Sequence, residues 1–250
     1  MDIILMGDQN AGRSSIIKTI FHKMGSKDSM QIGPTNKMET CEFKIQKIDF
    51  RFCDFPNKYD LEEPAANEQM ILRSAAAFIY VMEYQSDTNR SLDNFLYIYE
   101  YLKKRNTNNF ETFIFISKMD IENHSEESKN EFMMLFRKKL TNENIDPRPI
   151  SLQFISTRDF TVYEAVSRVI QKIIPCTTYT CKLLDKMTEC SKLEKVYLFD
   201  ICSKLCIALS EPNNLKTLQY EVCCELMDLH IDVSMLYGQD KKEELSEKTL

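Results

Sequence analysis

Short runs that are apolar throughout alternate along this chain with longer stretches whose apolar positions recur every three to four residues. DIILMG (2–7) is a run ending in glycine, the pattern of a strand buried on both faces. Behind it Ile16, Ile17, Ile20, Phe21 and Met24 repeat at helical spacing. Over 43–55, Phe43 and Ile45, then Ile48, Phe50 and Phe52, alternate with polar residues, which predicts two antiparallel strands joined near Lys47. AAAFIYVME (75–83) and TFIFISKMD (112–120) read as further buried strands with a helical stretch over 91–104 between them, and SLQFIS (151–156) as the last strand. A helix over 130–140 is expected to turn Phe132, Leu135 and Phe136 inward. Val162, Ala165, Val166, Val169, Ile170 and Ile173 line one face of a helix that Pro175 stops. Strands alternating with helices predict an α/β fold: a doubly wound, mostly parallel sheet with an antiparallel edge hairpin, closing at about residue 174.

A smaller unit follows. The stretch 175–180 reads as a linker, 181–193 as a helix, and 196–209 as a strand pair or one long strand. Over 218–236, Val222, Leu226, Leu229, Val233 and Leu236 keep a 3.6-residue period, and Gly238 stands where a helix C-terminus wants it. The predicted organisation is therefore a domain over 1–174, a linker, a second domain over 181–238, and a charged, solvated tail over 239–250. The net charge of −6 argues against general binding to nucleic acid or to an anionic membrane. No signal-peptide pattern opens the chain and no apolar run approaches membrane-spanning length, so a cytoplasmic protein is expected. The second residue is Asp2 and the last four, EKTL, lack cysteine, so neither a myristoyl nor a prenyl anchor is expected. Nine cysteines, an odd count without a CxxC, do not suggest a zinc or disulfide framework. Cys202 and Cys206, set in an apolar run, read as small core residues in a reducing compartment.

Three constellations carry chemistry. GDQNAGRSS (7–15) fits the phosphate-binding pattern G-x-x-x-x-G-K-[ST], with Arg13 in the lysine position. In such a P-loop, the backbone N–H groups of Gln9, Asn10, Ala11, Gly12, Arg13, Ser14 and Ser15 converge on phosphate oxygens at the start of a helix. The Ser14 hydroxyl would bind Mg²⁺. A chance surface turn is the bland alternative; only five glycines in the chain and the strand-to-helix setting weigh against it. SKMD (117–120), ending a buried strand, resembles the [N/T]-K-x-D guanine-reading motif of GTPases. There Asp120 would accept two hydrogen bonds from guanine, the Lys118 stem would pack along the base and ribose, and Ser117 would stand beside them. DFPNK (54–58) sits where GTPases carry D-x-x-G-Q, so Asp54 would hold Mg²⁺ through water, while Asn57 and Lys58 replace the glycine and the water-orienting glutamine. Thr35 lies where a switch threonine closes over Mg²⁺ and the γ-phosphate, and Ser156 and Thr157 match the loop behind the base. Without the P-loop, these would read as ordinary turn residues.

FHKM (21–24), PTNK (34–37), DFP (54–56), YEAVSRVIQKIIP (163–175), EKVYLFDICSKLCIA (194–208) and QYEVCCELMDLHIDVSMLYG (219–238) together resemble the Rag GTPases, in particular the RagC/RagD branch. The resemblance implies a Ras-like P-loop G domain that binds GTP/GDP with Mg²⁺, followed by a roadblock-type α+β domain that pairs with a RagA-like subunit. It also implies a tethering scaffold at the lysosome or vacuole surface and amino-acid signalling to the TOR kinase complex. The chain departs from the family at Arg13, Asn57, Lys58 and Ser117, the last standing for histidine. It also ends where family members continue with further strands and a closing helix, so an incomplete second domain is expected to need a partner's strands or to remain loose. Three functions stay open: a slowly hydrolysing switch subunit, a non-catalytic nucleotide-locked or nucleotide-free dimerisation scaffold, and an ATP-using P-loop enzyme, against which Asp120 argues.

Overall fold

Six strands form one sheet in the computed structural model, which describes residues 1–22, 37–45, 47–56, 59–62, 64–106, 109–119, 126–143, 145–210 and 217–237. They are β1 (Asp2–Gly7), β2 (Glu39–Ile45), β3 (Ile48–Asp54), β4 (Ala77–Glu83), β5 (Glu111–Ser117) and β6 (Ile150–Phe154), in the spatial order β2-β3-β1-β4-β5-β6. Only β2 runs antiparallel; it pairs with β3 from Glu39 opposite Asp54 to Ile45 opposite Ile48, as the alternation near Lys47 predicts. From β1 the chain goes first to β3 on one side and then to β4 on the other. The crevice above β1 is thus the switch point where open α/β sheets bind ligands.

Alternation along each strand divides the core in two. Ile3, Leu5, Phe52, Ile79, Val81 and Phe115 pack against α1 (Arg13–Phe21) and α5 (Thr161–Ile173). Ile4, Met6, Phe78, Tyr80, Met82 and Ile116 face α2 (Ala66–Ser74), α3 (Thr88–Arg105) and α4 (Glu126–Asn142). Both faces covered is the reason these strands read as unbroken apolar runs.

Two features differ from the expectation. Helix α2 has no counterpart in the sequence reading: its nine residues bury only Ile71 and Leu72, too few for a visible period. It starts at Pro64 and Ala65, where the Glu68 carboxylate accepts from the Ala65 N–H at 3.1 Å and from the Tyr59 hydroxyl at 2.8 Å. In α4, Phe132, Phe136 and Leu140 point inward at i, i+4 spacing, but Leu135 is 65 % exposed. Leu135 lies about 60° from Phe132 but about 100° from Phe136, the centre of the inward set, and so falls at the edge of that face.

Beyond α5 lie α6 (Thr177–Ser191), β7 (Tyr197–Phe199), β8 (Cys206–Leu209) and α7 (Thr217–Tyr237). Helix α6 begins inside the stretch read as linker, so most of 175–180 is helical. Strands β7 and β8 pair antiparallel. Every residue of β8 is buried, with Leu205 and Ile207 joining the core beside α5. Four groups form a hydrogen-bond chain at this seam. The Cys206 N–H donates to Ser167 Oγ at 2.9 Å, Ser167 lies 2.9 Å from the Tyr220 hydroxyl, and that hydroxyl donates to the Lys204 carbonyl at 2.6 Å. With its proton given to Lys204, Tyr220 takes the Ser167 proton, and the Cys206 N–H, 3.2 Å from the Tyr220 oxygen, is shared between the two hydroxyls. Tyr220→Phe would leave a buried hydroxyl and a carbonyl unsatisfied, and a loss of about 1–3 kcal/mol is expected in urea unfolding; no measurable loss would remove this chain from the account of the seam.

Tyr220 and Cys224 are the inward residues of α7, whereas Val222, Leu226, Leu229, Val233 and Leu236, the periodic stripe of the sequence, are exposed. Cys202, expected in the core, is also exposed, in the turn between β7 and β8; Cys53, Cys206 and Cys224 are buried and their thiol pKa values are pushed up to about 12 by burial. None of the nine cysteines is disulfide-bonded. Among the described residues, no helix is long and apolar enough to cross a membrane.

Candidate functional site

The site begins where β1 runs out. Gly7 pairs with Val81 of β4 so closely that a Cβ on it would lie 2.0 Å from the Val81 carbonyl oxygen; no other residue fits. The loop then turns back: Asp8 N–H bonds to Val81 O at 2.9 Å, and Ala11 N–H to Asp8 O at 3.3 Å. Asn10 (φ 61°) and Gly12 (φ 88°) are both left-handed, the backbone alternation that gathers successive N–H groups into an anion-binding concavity. Asparagine is among the few side chains that take this conformation readily. Helix α1 starts at Arg13 directly behind the loop, so its N-terminal N–H groups add to the same concavity. Gln9 and Asn10 are exposed, Ala11 is buried, and Ser14 and Ser15 are half-buried.

Asp54, at the end of β3, is 1 % exposed. Its Oδ2 accepts from the Ser14 hydroxyl at 2.6 Å, and its Oδ1 lies 3.6 Å from Arg13 Nε. Burial pulls the guanidinium pKa down, and Asp54, Tyr80 and Asp8, in that order, oppose the shift. An arginine stays charged through such a change. The Ser14–Asp54 geometry fits a divalent cation: the hydroxyl proton is turned to the carboxylate, so the oxygen faces away from its own proton, and Ser14 lines a cleft of about 50 Å³ with Glu39, Thr40 and Asp54.

Two partners of the loop escaped the sequence reading. The Tyr80 hydroxyl, within β4, donates to Asp8 Oδ1 at 2.8 Å, and Asn94 Nδ2 of α3 lies 3.5 Å from the same oxygen. Burial and Asp8 both push the Tyr80 phenol upward, which keeps it a donor. The available signal was a tyrosine in an otherwise apolar strand, since a buried hydroxyl needs a partner. Asp8, Arg13, Tyr80 and Asn94 line a cavity of about 490 Å³ between the loop and α3.

The ends of β5 and β6 complete the crevice. Ser117 is buried, with Oγ 2.7 Å from Ala11 O and 3.1 Å from Met82 O; its single proton braces the P-loop against β4. Lys118 is left-handed (φ 62°), and its ammonium pairs with Glu83 at 2.8 Å. The Met119 N–H reaches Ile155 O at 3.4 Å, which sets the two loops side by side. Ser156 is buried: its N–H donates to Thr161 Oγ1 at 2.8 Å and its Oγ accepts from Arg158 N–H at 3.0 Å, while Thr157 follows in the turn. Thr35, Asn57, Lys58 and Asp120 lie outside the described residues. The described members of the expected site are thus found at the C-terminal ends of β1, β3, β5 and β6, in the turns leaving them, or in the first turn of α1.

A family model for the Gtr1/RagA G protein conserved region matches residues 2–227, nearly the whole of this fold. The chain belongs to the Gtr1/RagA G protein family. It is similar to Ras-related GTP-binding protein C of Mus musculus, with 33 % identity over 241 residues, 94 % of this chain and 60 % of that protein. It is also similar to GTP-binding protein GTR2 of Saccharomyces cerevisiae, with 31 % identity over 94 % of this chain and 69 % of that protein. The gtr2 protein of Schizosaccharomyces pombe is 31 % identical over 96 % of this chain and 76 % of its own length. The chain spans about three fifths of the length of the mouse relative. Within this Gtr1/RagA family chain, the matched region takes in both the P-loop and the β8–α5 seam.

Proposed function

We propose that this chain is a RagC/D-like guanine-nucleotide-binding switch subunit. The observation that carries the reading is the loop itself: Gly7 pressed onto Val81, left-handed Asn10 and Gly12, and α1 opening at the sheet's switch point. The choice of guanine is supported by Lys118 and Asp120 in the S-K-M-D sequence and by relatives named for GTP binding. Phosphates would sit on the loop amides. Mg²⁺, held by Ser14 and Thr35 with Asp54 behind a water, would balance their charge.

Pairing with a RagA-like subunit is supported by apolar residues left in solvent: Tyr179, Leu183 and Met187 on α6, and the Val222-to-Leu236 stripe on α7. On this reading the pair is tethered by a scaffold at the lysosome or vacuole surface and signals amino-acid sufficiency to the TOR kinase complex. Hydrolysis would be slow, because Lys58 stands where glutamine orients water. Unaided single-turnover GTP cleavage below the order of 10⁻⁴ s⁻¹ is expected, and a faster rate without a partner contradicts it.

The hold of Asp54 on Arg13 favours a second reading, a non-catalytic dimerisation scaffold. Equilibrium binding of fluorescent GDP, GTP and ATP to wild type and Arg13→Lys separates the two. The switch reading expects GDP and GTP, but not ATP, to bind wild type; binding recovered only in the variant supports the scaffold. Co-purification with a RagA-like subunit tests the pairing.

A further inference from the structure

We propose that Arg13 serves as a built-in cation at Asp54, so that this chain retains guanine nucleotide with little dependence on Mg²⁺. The inference rests on the nucleotide-binding reading above and concerns how the charge of that site is balanced.

A P-loop site ordinarily uses two separate positive charges, a lysine along the phosphates and a divalent ion bridging phosphate, hydroxyl and an acidic residue. In this chain the residue at the lysine position lies against the acidic residue itself. Arg13 Nε is 3.6 Å from Asp54 Oδ1, and the two side chains are 5 % and 1 % exposed. Out of water, a charge pair at this distance is coupled far more strongly than on the surface. One further acidic residue, Asp8, lines the same cavity as Arg13. Its Oδ1 is fixed by Tyr80 and Asn94, and its buried Oδ2 has no hydrogen-bond donor among the described residues. Arg13 thus feels two acidic residues, Asp54 more strongly and Asp8 less.

Two consequences follow for the phosphate site. A divalent ion reaching Ser14 meets a carboxylate that already has a buried cation 3.6 Å from its other oxygen, so it gains less there than beside an aspartate with no cation near it. The guanidinium stays charged and places that charge at Asp54 in a fixed, planar fork geometry. Removing the metal then takes away a smaller share of the positive charge that retains the nucleotide. A lysine has a compact ammonium on a flexible stem and no such fork, so it does not reproduce the arrangement.

The test is the dissociation rate of fluorescent GDP from the full chain, chased with excess GDP, in Mg²⁺ and in EDTA. For wild type the two rates are expected to agree within about threefold. For Arg13→Lys, EDTA is expected to accelerate release at least about tenfold, the scale on which a close charge pair is felt. An acceleration of about tenfold or more in wild type overturns the proposal, as does an Arg13→Lys protein as indifferent to EDTA as wild type. Should the lysine variant fail to fold, the melting temperature of GDP-bound wild type titrated with Mg²⁺ decides: a flat response supports the built-in cation, and a rising one overturns it. Wild type that binds no GDP in either buffer overturns the nucleotide reading itself, an outcome distinct from binding that needs Mg²⁺.

Discussion

Gly7→Ala is expected to abolish the folded state or to leave less than half its stability. The added Cβ would stand 2.0 Å from the Val81 oxygen and 2.8 Å from the Val81 carbon and nitrogen, all backbone atoms of a central strand. Relief requires β1 and β4 to part, which breaks the register from Ile3–Ala77 to Gly7–Val81 and the Asp8–Val81 hydrogen bond. Losses beyond about 4–5 kcal/mol are exceptional for one substitution, and against a typical total of about 5–15 kcal/mol this one is decisive. Gly12→Ala is the control. It meets open space, and its cost comes from φ +88° alone, about 1–2 kcal/mol. Urea unfolding of the two variants should therefore differ widely; similar midpoints would mean that the Gly7 contact is not the constraint described.

The second large effect is at the buried ion pair. Asp54→Asn keeps shape and removes charge, leaving Arg13 with its nearest counter-charge gone; a loss of about 3–5 kcal/mol is expected, the usual cost of breaking a buried pair from one side. Adding Arg13→Met to the same protein should restore most of it, because an apolar residue of similar length has no charge to leave stranded. The two substitutions should thus be strongly non-additive. Thermal melting of both singles and the double makes the comparison, and additivity would show that the two side chains do not depend on each other.

Much of this architecture was legible because it is local. Continuous apolar runs marked β1, β4 and β5, and the 3.6-residue spacing from Val162 to Ile170 marked α5. The P-loop was legible for the same reason, since its function lies in backbone shape set by Gly7 and Gly12 within a few residues. Long-range pairings were not. Tyr80 with Asp8, 72 positions apart, and Arg13 with Asp54 have no signature in spacing. Ser117 was legible as a residue at the end of β5, but its bond to Ala11 O, across 106 residues, which makes it a brace for the loop, was not. The α7 stripe shows a different limit. Periodicity reports that a helix has an apolar face and says nothing of what meets it. Here the shorter set, Tyr220 and Cys224, won the core because Tyr220 could also satisfy its hydroxyl on Ser167 and Lys204.

The seam between α5 and β8 gives the chain a mechanical character. A helix whose first residue, Thr161, clasps the Ser156 loop, and whose middle residue, Ser167, is stitched to Cys206 and Tyr220, acts as a shared axle. The exposed stripe of α7 thereby keeps a fixed bearing to the phosphate loop. A protein that grips the stripe pulls, through these bonds, on the helix that backs the phosphate site.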